Sequence, residues 1–224
     1  MNAILKSLLQ KSVNRATDVV SQEAKIDAKV EREFVVYGKL ENIDAAKAVA
    51  QKGETVYHEQ WDIRVEKDET RQYFGQVRVR KTFTDKEQAY TLCIKKLSEE
   101  SNDKYEIELE VDHEVFETVK ALSTNGMIKA RTKIPVEGEE GLFWEVDVFY
   151  QNGFDGDPVQ WVKLDLEVPS FDREIPKPPL EFIEVLDTQP NERTEEQRQF
   201  VSKLMEETFL QKNPYPKREN SNEE

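Results

Sequence analysis

Apolar residues recur along this chain at two different periods. Over residues 2–26, Ile4, Leu5, Leu8, Leu9, Val13, Ala16, Val19 and Val20 fall at helical spacing. That predicts an amphipathic helix, whose ordinary use is to cover apolar surface elsewhere in the fold. From Lys29 to Val168 the period becomes two. Eight strands are predicted, over 29–38, 55–66, 72–82, 88–97, 104–111, 126–136, 141–150 and 159–168. Between them, Asp44 to Gln51 reads as a short helix ending at Gly53. Asp112 caps a second helix over 113–124, with Val115, Phe116, Val119 and Leu122 on one face and Gly126 just beyond its end. Pro169 closes the last strand, and Pro176, Pro178 and Pro179 make a bend. A third helix opens with Thr194 and Gln197 in capping-box spacing and carries Phe200, Leu204, Met205 and Phe209.

The residues from Asn213 to Glu224 are polar, hold two prolines, and are expected to be disordered. No internal repeat or interdomain linker is legible. One domain is therefore expected, with an N-terminal helix in 1–28, a strand-rich body over 29–187, a C-terminal helix in 188–212 and a tail over 213–224.

The residues that alternate with the apolar ones carry the chemistry. Glu31 and Glu33 flank Arg32, Arg78 and Arg80 flank Val79, and Thr91, Cys93 and Lys95 share a face. Glu106, Glu108 and Glu110 form a row, as do Lys129, Arg131 and Lys133, then Glu145 and Asp147, then Lys163, Asp165 and Glu167. Residues i and i+2 of a strand point to one side, so each strand has a charged face and an apolar face. Two architectures satisfy this pattern. One is an antiparallel sheet with a solvated face. The other is a closed eight-stranded barrel with the charges inside and helices over its apolar outside. The second requires a wet interior or compensating ligands and metals, because isolated buried charges are costly. The sorting of charge by strand favours it, although cross-strand pairing produces some sorting as well.

Such an interior suits a polyphosphate held through metal. Arginine and lysine rows neutralise phosphate oxygens, and carboxylate pairs suit magnesium or manganese. A metal bridging the two orients water for attack at the terminal phosphorus.

Composition narrows the field. The 224 residues carry 46 acidic and 32 basic side chains, for a net charge of −14. Phosphate backbone is repelled by that balance, so direct nucleic-acid binding is not expected. Cys93 is the lone cysteine, which excludes an internal disulfide framework and any zinc site built on several cysteines. The start has no apolar run long enough for a signal peptide, and nothing later approaches about 18 apolar residues. A soluble cytoplasmic protein is expected, with no membrane partner.

The order of segments resembles the CYTH family, also called triphosphate tunnel metalloenzymes, which includes inorganic triphosphatases, thiamine triphosphatases and class IV adenylyl cyclases. The family's opening strand is similar to Val30-Glu31-Arg32-Glu33-Phe34-Val35-Val36. Its Arg-x-Arg strand resembles Val77-Arg78-Val79-Arg80, and its Thr-x-Lys strand Thr91-Leu92-Cys93-Ile94-Lys95. The Glu-x-Glu strand resembles Tyr105-Glu106-Ile107-Glu108, with Lys104 where an arginine is usual. Lys129-Ala130-Arg131, Trp144-Glu145-Val146-Asp147 and Leu164-Asp165-Leu166-Glu167 follow in order, then a post-barrel turn at Pro179 to Val185.

The resemblance spans about residues 29–187. It implies an α+β fold, an eight-stranded antiparallel β-barrel or tunnel flanked by N- and C-terminal helices. It implies a metal-dependent phosphohydrolase acting on inorganic triphosphate or a nucleoside triphosphate. Arg78, Arg80, Lys95, Lys129 and Arg131 would hold the phosphates, Glu31, Asp165 and Glu167 would bind magnesium or manganese, and Glu106, Glu108 and Asp147 would position the basic residues or share a metal. Glu31, Glu33 and Lys95 would be catalytic.

One departure bears on activity. The family opens with Glu-x-Glu-x-Lys, whereas this chain aligns Lys29, Glu31 and Glu33, or, shifted by two, Glu31, Glu33 and Val35. The lysine is absent in both alignments. A binding module for a phosphorylated metabolite or nucleotide with impaired turnover is therefore the alternative, and a plain interaction protein a third. The remaining features read plainly. There is no Gly-x-x-x-x-Gly-Lys or Gly-x-Gly-x-x-Gly motif. His58 and His113 read as surface or capping residues, Cys93 as a packing residue, and Asn152 to Pro158 as a hairpin loop.

Overall fold

The structure, a computed structural model, describes residues 29–31, 33–51, 55–65, 75–97, 104–123, 125–151, 153–154, 156–169, 172, 174–189 and 192–211. The helix expected over 2–26 and the tail expected over 213–224 lie outside the described residues. Among those described, no helix is long and apolar enough to cross a membrane.

Alternation of apolar and charged residues produces one antiparallel sheet of 11 strands. These are β1 (Lys29–Glu31), β2 (Glu33–Lys39), β3 (Thr55–Val65), β4 (Gly75–Phe83), β5 (Gln88–Leu97), β6 (Lys104–Glu110), β7 (Asn125–Pro135), β8 (Phe143–Tyr150), β9 (Pro158–Glu167), β10 (Glu184–Leu186) and β11 (Phe209–Gln211). Their hydrogen-bonded order is β1-β6-β5-β4-β3-β7-β8-β9-β2-β10, with β11 on β7. The opening strand expected over 29–38 is divided: its first part pairs with β6 and its second with β9. Two consecutive segments of chain thus meet strands from opposite ends of the sheet, which requires the sheet to curl strongly.

The expected closed barrel of eight strands is corrected here, because the ladder is not a ring. The free edge of β2 is taken by the C-terminal segment instead. β10 pairs with Tyr37 to Lys39, and Val35 N donates to Gln189 Oε1 at 3.0 Å.

Among the described residues, three helices, α1 (Ile43–Ala50), α2 (His113–Leu122) and α3 (Glu195–Thr208), accompany the sheet in an α+β fold. Asn42 caps α1, its side chain accepting from Ala45 N at 2.8 Å. Asp112 caps α2 as expected, accepting from Val115 N at 2.9 Å. The capping box of α3 is reciprocal: Gln197 N donates to Thr194 Oγ1 at 3.2 Å, and Thr194 N donates to Gln197 Oε1 at 2.9 Å. α3 ends at Thr208, so Phe209 belongs to β11 instead of the helix.

The main core lies on the apolar face of the sheet. Phe34, Val36, Val146, Val148, Val162, Leu164 and Leu166 pack there beneath Ala46, Val49 and Ala50 of α1. A second cluster, Trp61, Val79 and Phe116, lies under α2. Leu122, expected on the apolar face of α2, is instead exposed at its last turn.

Candidate functional site

With one face committed to α1 and α2, the register carries the polar residues round the other. Asp165 of β9 stands opposite Glu145 of β8 and Val35 of β2, and Asp147 stands opposite Arg131 and Lys163. His58 stands opposite Lys129 and Thr82, Gln60 opposite Arg80, and Asp62 opposite Arg78. Cys93 faces Arg78 and Glu108, Lys95 faces Glu106, and Glu33 faces Glu167. Glu31 pairs with Lys104 through its backbone, and its side chain lies outside the described residues. The sheet therefore brings all the other expected site residues to one face.

That face is enclosed. Asp147 is 1% exposed, Asp62 2% and Asp165 3%, although the main core lies on the opposite face. A solvated sheet face would leave such side chains wet, so the curl of the sheet, with α3 packed over Val35 and Tyr37, buries them.

Two ion-pair networks hold the buried charge. In the first, Arg131 donates to both oxygens of Asp147 at 2.6 and 2.7 Å, to Glu145, and to Asp165 at 3.4 Å. Lys129 Nζ reaches the same Asp147 at 2.6 Å, Lys163 reaches Asp165 at 2.5 Å, and Lys133 reaches Glu145 at 3.1 Å. Burial opposes the Asp147 charge, but Arg131 and Lys129 outweigh it and hold the carboxyl well below the usual range. Burial, with the Arg131 cation beside it, brings Lys129 down to about 7. The second network pairs Arg78 with Asp62 at 3.2 Å, Arg80 with Glu108 at 2.9 Å and Lys95 with Glu106 at 2.9 Å.

His58 stands in register between β4 and β7 and corrects the expectation of a surface histidine, being 6% exposed. Its Nδ1 lies 3.1 Å from Thr82 Oγ1. Burial, and then Lys129, Arg80 and Arg131, push its ionisation down to about 2, so the ring is neutral. His113, by contrast, is exposed at the start of α2 and stacks on Tyr90. The row His58, Gln60, Asp62 went unread because strand β3 alternates neutral and charged residues on both faces. Glu59, on the outer face, is paired to Lys120 of α2 at 2.6 Å.

Among the described residues, Cys93, Glu106 and Glu108 bring three donor atoms within 4.8 Å of one another. This set does not suit a hard divalent cation. Burial and the neighbouring Glu106 raise the thiol to about 12, so it stays protonated and donates to Glu106 at 2.5 Å, while Lys95 and Arg80 occupy the two carboxylates. Asp165 fits better. Its Oδ1 is buried without a hydrogen-bond partner and Glu145 stands directly opposite, while Lys163 and Arg131 hold its Oδ2 and Arg131 and Lys133 hold Glu145.

The C-terminal segment covers part of the same face. Val35 and Tyr37 pack against Leu204, Val201 and Met205 of α3, and the Arg193 guanidinium lies 5.3 Å over the Tyr37 ring.

No family model and no curated protein matches this chain. Solved structures do. Protein PH1819 from Pyrococcus horikoshii OT3 is 18% identical with a TM-score of 0.42, covering 81% of this chain and 95% of its own. HpAC1 from Hippeastrum, described as an adenylyl cyclase with a dominant triphosphatase activity, is 13% identical with a TM-score of 0.40, covering 83% and 92%. A protein from Bacillus halodurans, described as an adenylate cyclase, is 13% identical with a TM-score of 0.37, covering 84% and 96%.

Proposed function

We propose that the curled sheet is a tunnel that receives a triphosphate, and that the chain is a CYTH-like metal-dependent phosphohydrolase acting on inorganic triphosphate or a nucleoside triphosphate. The observation that carries this reading is that Arg78, Arg80, Lys95, Lys129 and Arg131 share one enclosed face, where burial and then Lys129, Arg80 and Arg131 keep His58 neutral. Cations crowded in a low-dielectric space attract a polyanion strongly, and the arginines offer bidentate contacts to its oxygens.

In this reading Asp147 orients Lys129 and Arg131 toward the phosphates, while Glu108 and Glu106 orient Arg80 and Lys95. Asp165, with Glu145, Glu167 and Glu31, would hold magnesium or manganese. Such a metal, once bound, lowers the pKa of its water and neutralises charge on the terminal phosphate. Glu31 and Glu33 would accept a proton from the attacking water, and Lys95 would neutralise the leaving oxygens. Localisation in the cytoplasm belongs to the same proposal.

A second reading, a binding module with impaired turnover, is favoured by Val35. In the shifted alignment it takes the place of the family's opening lysine, and it is 4% exposed beneath Leu204. Phosphate and pyrophosphate release from a panel of triphosphates with magnesium or manganese separates the two. Metal-dependent release that is lost in Arg78→Ala supports the enzyme. Thermal stabilisation by a triphosphate without release supports the binding module, and neither effect overturns both.

A further inference from the structure

Gln60 of β3 is 3% exposed, and its Nε2 donates to the Asp62 oxygens at 3.4 and 3.3 Å. A carboxylate only accepts hydrogen bonds, so this contact fixes which end of the amide is which. The carbonyl Oε1 therefore points away from Asp62, and it is buried without a partner. Arg80 stands directly opposite on β4, and its Nε is also buried and unpartnered, while its Nη2 is engaged by Glu108. On the other flank Gln60 faces Met127 of β7, which has no polar group to offer it other than a weakly accepting sulfur. An acceptor and a donor thus lie in register inside the enclosed charged face, each unmade. Buried polar atoms are rarely left so in a finished site.

We propose that Gln60 determines specificity by accepting a hydrogen bond from the non-phosphate part of the ligand, and that the site takes an organic phosphate bearing a hydroxyl or amino donor. This rests on the phosphate reading above. An ionised inorganic triphosphate offers acceptors alone: it satisfies Arg80 Nε and leaves Gln60 Oε1 facing another oxygen. A hydroxyl or amino group carried beside the phosphates satisfies Gln60, and a phosphate oxygen satisfies Arg80. Sites that hydrogen-bond a substrate donor discriminate sharply against analogues lacking it, because the buried acceptor is otherwise left unpaired.

The test is calorimetric titration of the full chain with ATP and with inorganic tripolyphosphate, each with calcium to suppress turnover, repeated on Gln60→Met. Methionine keeps the length of the side chain and removes the carbonyl. The expected result is a loss of about tenfold in ATP affinity, with tripolyphosphate affinity unchanged within about twofold. Parallel weakening of both probes, or no change in either, overturns the inference; a water bridging Gln60 Oε1 and Arg80 Nε would give that result. Should Gln60→Met fail to fold, Gln60→Asn keeps a carbonyl on a shorter arm. It is expected to lower the ratio of ATP to tripolyphosphate affinity, and an unchanged ratio overturns the inference. Failure of the unaltered chain to bind either probe overturns the phosphate reading and this inference together.

Discussion

Arg131 grips Asp147 with two nitrogens at once, Nε donating to Oδ1 at 2.6 Å and Nη2 to Oδ2 at 2.7 Å, across the direct β7–β8 register. The same guanidinium reaches Glu145 and Asp165, so one cation anchors three carboxylates. Arg131→Ala leaves them short of their shared counter-charge in an enclosed space. The expected loss is about 3–5 kcal/mol of folding stability, the usual consequence of breaking a buried pair from one side. Arg131→Lys keeps the charge without the planar fork, and it recovers only part of the loss. Urea unfolding of the two variants reads both effects, and an Arg131→Ala chain of unaltered stability sinks the account.

Lys129 gives the site a pH dependence near neutrality. Burial and Arg131 bring it to about 7 from an ordinary value of 10.5, with Lys163 adding to the depression and Asp147 opposing it. A bound polyanion favours the charged amine and raises its pKa. Binding then takes up a proton, and affinity falls as pH rises above about 7, by at most about tenfold per unit for one group. The expected outcome is a steeper fall in triphosphate affinity between pH 7 and 9 for the unaltered chain than for Lys129→Met. Equal slopes in the two chains would refute this role, since the ligand's own titration is common to both.

The rows that repeat one sign of charge were legible from the alternation: Arg78 with Arg80, Lys129 with Arg131, Asp165 with Glu167. Period two commits each whole row to one face, so a few residues of pattern were enough. The seam of the sheet was not legible. β10 and β11 are three-residue pairings with no periodicity of their own, and what places them is the unpaired edge of β2 and the end of β7. His58 and Gln60 were missed for a different reason. Neither residue type announces a buried site, and their strand also carries Glu59 toward α2, so its two faces could not be told apart by charge.

His58 governs the acid limb of stability. The ring has an ordinary pKa of 6.5, and it is pushed down to about 2 in the folded chain by burial and by Lys129, Arg80 and Arg131. Between those values the unfolded state binds a proton that the folded state refuses. The neutral ring's contribution is therefore fully present above pH 6.5 and is lost as pH falls, at up to about 1.4 kcal/mol per unit. His58→Gln removes this component, so its stability should decline less than that of the unaltered chain from pH 7 to pH 5. Denaturant melts at the two pH values decide it, and identical declines would show that His58 does not carry the effect.

Gly126 is required by the indole across the ladder from it. A Cβ at this position would lie 2.4 Å from Trp61 Cε3, and Gly126 is the direct partner of Trp61 in the β3–β7 register. Trp61 has little room to yield, since it packs with Val79 and Phe116, and its indole nitrogen donates to Glu59 at 2.8 Å. Gly126→Ala must therefore push the ring toward α2 or part the two strands. Overpacking of this kind costs about 1–3 kcal/mol. Displacing β3 would also shift His58, Gln60 and Asp62, which it carries on its inner face. Gly126→Ala is thus expected to lower the melting temperature and to weaken triphosphate binding together. The double variant Gly126→Ala with Trp61→Leu, in which the clash is relieved, should recover part of the binding. If binding stays intact while stability falls, the outer packing of β3 does not set the geometry of its inner row.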